Sequence, residues 1–115
     1  MKIEGEGQLL RVYIDESDLW EGKPLYAAII HRARSEGLSG ATALRGMMGF
    51  GANSLIHSAA TSGTHIPEDM PIVVEIVDKA EKLKAFMPTL DRMVKEGLIT
   101  VEKVNVVAYR SSRHP

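Results

Sequence analysis

The feature that most constrains the fold of this chain is an internal repeat. The triplet Glu36-Gly37-Leu38 recurs as Glu96-Gly97-Leu98, at an offset of 60 residues (96 minus 36). The same offset relates three further pairs: Val12 with Ile72, Ile14 with Val74, and Asp18 with Asp78. In each copy, a run of apolar residues typical of a β-strand is followed by apolar residues with helical spacing, and this second segment ends at a glycine. The repeat therefore predicts two βαβ units in tandem.

The element boundaries follow from local signals. Strands are predicted at residues 9–14, 41–50, 72–77 and 99–109 from their apolar and β-branched runs. Pro24 suits the first turn of helix one, which Gly37 ends. Asp78 and Glu81 have capping-box spacing before helix two, and Gly97 ends that helix. Pro88 lies inside it and predicts a kink or a split.

This order, β-α-β-loop-β-α-β, predicts an α+β ferredoxin-like sandwich. Its four-stranded antiparallel sheet carries both helices on one face. The length of 115 residues fits a single domain over residues 1–115. Residues 1–7 and 110–115 are predicted to be flexible ends. Residues 51–67 show neither helical nor strand-like hydrophobic periodicity and are predicted to form a long functional loop.

The face of the sheet without helices predicts self-association. Alternation places Leu10, Val12 and Ile14 on one face of the first strand, and Leu9, Arg11 and Tyr13 on the other. The sequence does not decide which set meets the helices. Either choice leaves large apolar side chains uncovered, and burying each contributes about 1.5–3 kcal/mol. Such a patch rarely stays exposed on a monomer.

Composition excludes several functional classes. The 14 Lys and Arg against 15 Asp and Glu give a net charge of −1, which argues against binding to nucleic acid or to an anionic membrane. The absence of cysteine excludes disulfides and thiolate chemistry. No run of 18 apolar residues is present, and the polar N-terminus lacks a signal-peptide pattern. The cytoplasm is therefore the expected location.

The densest chemical signal is the glycine-rich segment of residues 40–51. It contains four glycines and Arg45 around the end of the second predicted strand. Free N–H groups in such a segment can hold phosphate oxygens, and an arginine adds charge-assisted contacts. Glycines that serve only for bends explain the same residues equally well. The segment is neither a Walker loop nor a Rossmann turn.

Other candidate groups have simpler interpretations. His57 and His65 match no metal-ligand spacing, so we interpret them as solvated loop histidines. Asp15, Glu16 and Asp18 are interpreted as a turn rather than as paired carboxylates. No serine has partnered histidine and aspartate residues at diagnostic positions. The sequence therefore does not predict an enzyme.

Two residues before the first helix are further candidates for ligand contacts. Trp20 is interpreted as a core or interface anchor, with stacking on a base as the alternative. Lys23, beside Pro24 at a helix start, is a candidate for holding an anion. A solvent-exposed lysine is the simpler interpretation.

Several short segments, taken in order, resemble a known family. They are residues 20–26 (WEGKPLY), 37–42 (GLSGAT), 45–51 (RGMMGFG), 69–78 (DMPIVVEIVD) and 97–101 (GLITV). Together they are similar to a short PII-like branch, grouped with the PII nitrogen-regulatory proteins. The resemblance extends from about residue 9 to residue 109.

The resemblance implies a homotrimer with an adenine nucleotide in the clefts between subunits. The implied nucleotide-binding residues are Gly40, Thr42, Arg45, Gly46, Gly49, Phe50 and Gly51, with Arg110 and less directly Arg113 at the phosphates. Residues 51–67 would form the loop that regulates a protein partner, such as a membrane transporter or an enzyme.

Departures from the family pattern refine the expectation. The PII phosphate loop Gly-Asp-Gly-Lys is replaced here by Gly97-Leu98-Ile99-Thr100, which favours ADP or AMP over ATP. Asn53 stands near the position of a PII glutamine, which argues against 2-oxoglutarate sensing and leaves Mg²⁺ open. Residues 51–67 contain no tyrosine, which excludes PII-style uridylylation there.

The leading hypothesis is therefore a nucleotide-responsive regulatory module. The first alternative is a divalent-metal-binding trimer of the CutA type, which shares this fold and would need His57 and His65 as ligands. A slow nucleotide hydrolase using Asp15 or Glu16 and a purely structural trimer are the remaining alternatives.

Overall fold

The computed structural model describes residues 4–52, 55–58 and 69–112. Its strands are β1 (Gly5–Asp15), β2 (Leu19–Trp20), β3 (Lys23–Pro24), β4 (Thr42–Arg45), β5 (Met48–Gly49), β6 (His57–Ser58), β7 (Pro71–Asp78) and β8 (Leu98–Val106). Its helices are α1 (Leu25–Ser35) and α2 (Ala80–Met93). The main sheet has the strand order β4-β7-β1-β8, and β2–β3 and β5–β6 are separate two-stranded ribbons.

The two βαβ units interleave in the main sheet. The first strands of the units, β1 and β7, pair antiparallel at its centre, with Val12 opposite Val74. Each second strand pairs with the first strand of the other unit: β4 with β7, and β8 with β1. Neither unit can form its half of the sheet alone. The predicted ferredoxin-like α+β fold is confirmed.

The structure decides which face of the sheet meets the helices. The buried strand residues are Leu10, Val12, Ile14, Ile72, Val74 and Ile76. They pack against Leu25, Ile29 and Ala33 of α1 and against Leu83, Phe86 and Leu90 of α2. This single layer of apolar side chains between helices and sheet is the core.

The opposite face of the sheet, which we call the open face, combines apolar and charged side chains. The strand registers place Leu9, Tyr13, Leu44, Val73, Val77 and Leu98 there. At its centre the Arg11 guanidinium donates to Glu75 at 3.0 Å and also to Glu102. These hydrogen bonds, first that with Glu75, raise the pKa of Arg11 above its ordinary value. The sheet face that the helices leave uncovered therefore carries large apolar side chains, as predicted.

The two helix boundaries have different causes. At the end of α1, Leu38 N donates to Ala33 O and Gly37 N donates to Arg34 O, both at 3.1 Å. This is a Schellman motif, and Gly37 has the positive φ of 80° that it requires. At the start of α2 the predicted capping box is wrong. Lys79 is the N-cap residue, and no side chain among the described residues caps the helix.

Asp78 does not cap α2 because its carboxylate is used elsewhere. It is fully buried. One oxygen accepts from Ser39 N at 2.8 Å and the other from Lys79 N at 2.7 Å. The carboxylate therefore ties the loop after α1 to the end of β7. The helix itself continues through Pro88 without a break, so the predicted split does not occur.

Three predicted strand boundaries are also wrong. Residues 5–7, predicted to be flexible, begin β1. The second strand ends at Arg45 rather than at residue 50, because Gly46 N donates to Pro71 O at 2.7 Å and the chain then leaves the sheet. The short strand β5 pairs instead with β6, inside the segment predicted to be a loop. The last strand ends at Val106 rather than at residue 109.

Candidate functional site

A cleft of about 660 Å³ opens at one end of the central strands β1 and β7. Its walls come from three segments: residues 46–52 after β4, the turn after β1, and residues 96–98 at the start of β8. Of the predicted nucleotide-binding residues, four line it, namely Gly46, Gly49, Phe50 and Gly51. The structure therefore brings the second half of the glycine-rich segment to a concave site.

The glycines of the first wall allow the chain to pass close to Pro71. A Cβ atom at Gly46 would lie 2.9 Å from Pro71 Cγ, and one at Gly49 would lie 3.4 Å from the same atom. A Cβ at Gly51 would meet no described atom within 4 Å. Gly46 therefore has a packing role, whereas Gly51 leaves the surface of the cleft open.

The facing wall uses the second copy of the repeated triplet. Gly97 has φ 152°, and a Cβ there would lie 2.6 Å from the carbonyl oxygen of Tyr13. Only glycine fits this close backbone approach. It brings Glu96 and Leu98 to the cleft, at the position where the resemblance places the phosphate loop of PII proteins.

The cleft is acidic. Asp15, Asp18 and Glu96 line it, and none of its lining residues within the described ranges is a lysine or an arginine. Asp15 and Asp18 belong to a tight turn, in which Asp15 N donates to Asp18 Oδ2 at 2.9 Å and Asp18 N donates to Asp15 O at 3.1 Å. The predicted turn is confirmed. Its contribution to the cleft was not predicted, because sequence does not show that it faces residues 46–52.

Arg45 lies beside the cleft without lining it. Its Nε donates to Glu16 Oε1 at 3.0 Å, and the same carboxylate oxygen accepts from Met70 N at 3.4 Å. This ion pair connects the end of β4 to the turn after β1. Within one copy of the chain, Arg45 therefore positions the wall formed by residues 46–52.

The remaining predicted residues lie towards the other end of the sheet. Ser39 N bonds Asp78 at the far end of β7, and Tyr109 donates its hydroxyl proton to Ser39 O at 2.8 Å. Gly40 and Arg110 follow these two residues directly in the chain. The seven steps from Pro71 to Asp78 along β7 (78 minus 71), at about 3.3 Å each, separate the two ends by about 23 Å. Thr42 lies between, opposite Glu75 on the open face.

An exposed apolar ribbon adjoins the cleft. Its members, between 61% and 81% exposed, are Met47, Met48, Phe50, Leu55 and Ile56. They lie on or next to β5 and just before β6, which pair through Met48 with Ser58 and Gly49 with His57. Exposed apolar groups that cluster in this way mark interaction surfaces.

The metal-binding alternative depends on residues that lie partly outside the described ranges. Within the described ranges, no group of three histidine, cysteine, aspartate or glutamate side chains is placed to hold a metal ion. The His57 side chain, His65, Asn53 and Arg113 lie outside what the structure describes. In the same described ranges, neither helix has the length and hydropathy needed to cross a membrane.

Comparison with known proteins places this geometry in a family. The model of the DUF190 family, described as an uncharacterized ACR family, matches residues 7–106. The chain belongs to the DUF190 family. A UPF0166 protein of Aquifex aeolicus is 37% identical over 100 residues, covering 87% of this DUF190 chain and 92% of its own length. A UPF0166 protein of Methanocaldococcus jannaschii is 29% identical over 102 residues, covering 88% and 92%.

Solved structures of PII-like proteins share the fold of this DUF190 chain. One is CPII from Thiomonas intermedia K12 bound to ADP and bicarbonate, with a TM-score of 0.55 and 17% identity. Another is CPII, a nitrogen regulatory PII-like protein from the same organism, bound to ADP, AMP and bicarbonate, with a TM-score of 0.56 and 17% identity. Each match covers 90% of both chains. These matches confirm that the chain has the expected PII-like fold.

Proposed function

We propose that this DUF190 protein is a PII-like regulatory protein that binds an adenine nucleotide between subunits and acts on a protein partner through residues 51–67. The observation that carries the proposal is the cleft walled by Gly46, Gly49, Phe50 and Gly51 on one side and Gly97 on the other. These are the segments that the resemblance to PII proteins associates with nucleotide. The fold neighbours were solved with ADP and AMP bound.

The charge of the cleft supports a site that is completed by a second copy of the chain. Three carboxylates line the cleft, and its described lining contains no lysine or arginine. A phosphate group there would be repelled unless a cation came from outside. Arg110 follows Tyr109, whose hydroxyl bonds Ser39 at the other end of the sheet, and β7 spans about 23 Å between the two ends. A neighbouring copy can bring its own Arg110 and Gly40 to this cleft, so we propose that the nucleotide site consists of two half-sites.

The open face supplies a surface for that assembly. Its apolar side chains surround the Arg11, Glu75 and Glu102 ion pairs. Leu44, on the edge strand β4, is 50% exposed there. We propose that three copies associate through this face, which buries the apolar groups and places the two ends of neighbouring sheets together. The members of the exposed apolar ribbon that do not line the cleft, Met47, Leu55 and Ile56, then remain available for the protein partner.

Nucleotide binding is tested by calorimetric titration with AMP, ADP and ATP, with and without Mg²⁺. Without Mg²⁺ we expect AMP and ADP to bind more tightly than ATP, because each added phosphate charge meets the acidic cleft. A ligand at 100 times its Kd should raise the free energy of unfolding by about 2.7 kcal/mol. The absence of binding by all three nucleotides would contradict the proposal.

Two variants assign the half-sites. Gly51→Val places a side chain where no described atom lies within 4 Å, so it should block the cleft and leave the free energy of unfolding of the unliganded protein unchanged. Arg110→Gln should weaken ADP binding about tenfold through loss of a charge-assisted contact. Arg34→Gln is the matched control, since Arg34 is an exposed arginine of α1 outside the cleft. Equal weakening by both arginine variants would refute a specific role for Arg110.

Assembly is tested by light scattering. We expect a particle of about three times the chain mass of 12.6 kDa. Leu44→Glu on the open face should give monomers and abolish nucleotide binding, because one copy holds only one half-site. Leu19→Glu is the control, as Leu19 is 65% exposed on the β2–β3 ribbon, away from the open face. A native particle of 12.6 kDa would contradict the trimer.

Regulation through residues 51–67 is tested by hydrogen exchange with and without saturating ADP. A nucleotide can order this segment only by its greater affinity for the ordered state. We therefore expect slower amide exchange in residues 51–67 with ADP, and no change in the Gly51→Val variant. Unchanged exchange in the native protein at saturating ADP would refute the coupling.

A further inference from the structure

A second concavity of about 570 Å³ lies on the helical layer, and it shares no lining residue with the cleft. It is formed by the β2–β3 ribbon on one side and by α1 on the other. Ala27 and Ala28 of α1 form part of its lining, and their small side chains give it depth. Ligand pockets for small molecules commonly have volumes of about 300–1,000 Å³. We refer to this concavity as the helix-layer pocket.

The helix-layer pocket has the opposite charge to the cleft. Lys23, His31 and Arg32 line it together with one carboxylate, that of Glu21. Within the part of the chain that the structure describes, the side chains of Lys23 and His31 have no hydrogen-bond or ion-pair partner. A lysine and an arginine that line one concavity, with imidazole donors beside them, favour an anionic ligand.

Arg32 is held in place by its neighbours. Its Nε donates to Glu36 Oε2 at 2.9 Å, and Thr89 Oγ1 donates to the same oxygen at 3.0 Å. This contact uses only Nε, and the two terminal nitrogens of a guanidinium carry four further N–H donors. The network therefore orients the guanidinium at the rim of the pocket and leaves most of its donors for another group.

The ribbon fixes the aromatic wall of the pocket. Trp20 lies directly opposite Lys23 in the β2–β3 pair. Glu21 (φ 50°) and Gly22 (φ 78°) form the two-residue turn between them, and Leu25 N closes its base by donating to Asp18 O at 2.8 Å. Positive φ at both positions is the type I′ pattern. A glutamate held in this conformation is strained, and such strain concentrates at functional positions.

We propose that the helix-layer pocket binds a planar aromatic anion. The indole of Trp20 supplies a surface for stacking, while Lys23 and Arg32 supply the charge for a carboxylate or a phosphate. The same chemistry is offered by an aromatic carboxylate and by a nucleoside monophosphate. This site is additional to the proposed nucleotide cleft and does not depend on it.

Trp20 provides a local probe, because it is the only tryptophan in the chain. Its fluorescence is followed while 4-nitrobenzoate, the uncharged 4-nitrobenzamide or inorganic phosphate is added to the native protein. We expect saturable quenching by 4-nitrobenzoate and at least about tenfold weaker binding of 4-nitrobenzamide. AMP is added to the Gly51→Val variant, in which the cleft is blocked. Saturable quenching of this variant by AMP identifies a nucleoside monophosphate as the ligand. If AMP does not quench but 4-nitrobenzoate binds, the ligand is an aromatic carboxylate.

Variants test whether the cations of the pocket are responsible. Lys23→Met and Arg32→Gln should each weaken 4-nitrobenzoate binding about tenfold. Arg34→Gln should not, because Arg34 is an exposed arginine of the same helix that does not line the pocket. The proposal is overturned if 4-nitrobenzoate and 4-nitrobenzamide quench equally, if quenching by 4-nitrobenzoate does not saturate, or if Arg34→Gln weakens binding as much as Arg32→Gln.

Discussion

The two βαβ units share a sequence repeat, yet equivalent residues have different roles in them. Gly37 ends α1 in a Schellman motif, where its positive φ is needed and the nearest atom to an added Cβ is Lys82 Nζ at 3.7 Å. Gly97, its counterpart, lies against the backbone of β1, with Tyr13 O 2.6 Å from an added Cβ. The repeat therefore sets the scaffold, while contacts between the units decide what each glycine does.

The aspartates related by the repeat differ in the same way. Asp78 is fully buried and joins β7 to the loop after α1 through Ser39 N. Asp18 is half-buried and closes the turn after β1 by accepting from Asp15 N. After Asp18 the first unit inserts the β2–β3 ribbon, whereas after Asp78 the second unit enters α2 almost at once. The helix-layer pocket exists because of this insertion.

The strongest way to test the difference between the units is to replace the two glycines of the triplet by alanine. Gly97→Ala should lower the free energy of unfolding by about 3 kcal/mol, because a methyl group there overlaps a backbone oxygen and the φ is unfavourable. Gly37→Ala should cost only about 1 kcal/mol, from the positive φ alone. Urea unfolding monitored by circular dichroism gives both values. Equal losses would show that the close approach at Gly97 relaxes freely.

A second test compares the two aspartates. Asp78→Ala should lower the free energy of unfolding by about 2–3 kcal/mol, since it removes a fully buried carboxylate and leaves the Ser39 and Lys79 N–H groups without their acceptor. Asp18→Ala should cost about 1 kcal/mol, because water can reach the half-buried turn. The same urea titrations measure both. A larger loss for Asp18→Ala would mean that the turn after β1 contributes more to stability than the joint at Asp78, at the opposite end of the sheet.

Much of the scaffold was predictable because the local periodicity of apolar residues determines it. The repeat and the alternation of residues 72–77 gave the order of elements, and the glycine after α1 gave a correct helix end. The capping box at Asp78 was wrong because a tertiary contact, from Ser39 N, outcompeted the local one. The second strand was predicted too long because its end is set by Gly46 N bonding to Pro71, which lies 25 positions away (71 minus 46).

The candidate site was only half predictable. The glycine-rich segment and the Gly97 triplet were both recognised, but nothing local shows that they face each other across a cleft. The acidic lining from Asp15 and Asp18 was missed for the same reason. Arg45 was expected at a phosphate, whereas the chain places Glu16 within 3.0 Å of it. The β2–β3 ribbon was missed because Glu-Gly is an uncommon pair for a type I′ turn, where asparagine or aspartate usually precedes glycine.

The smallest expected effect concerns that ribbon and separates its strain from its charge. Glu21→Asn should raise the free energy of unfolding by about 0.5–1 kcal/mol, because asparagine tolerates positive φ better than glutamate does. It should also strengthen 4-nitrobenzoate binding in the helix-layer pocket, since the one carboxylate that lines the pocket is removed. Glu21→Gln is the matched control, because it removes the charge and keeps the strained side-chain type. If the stability gain comes from the backbone, urea unfolding will show it for asparagine only, while fluorescence titration will show tighter binding for both. A gain in stability of the same size with glutamine would assign the cost at position 21 to charge rather than to φ.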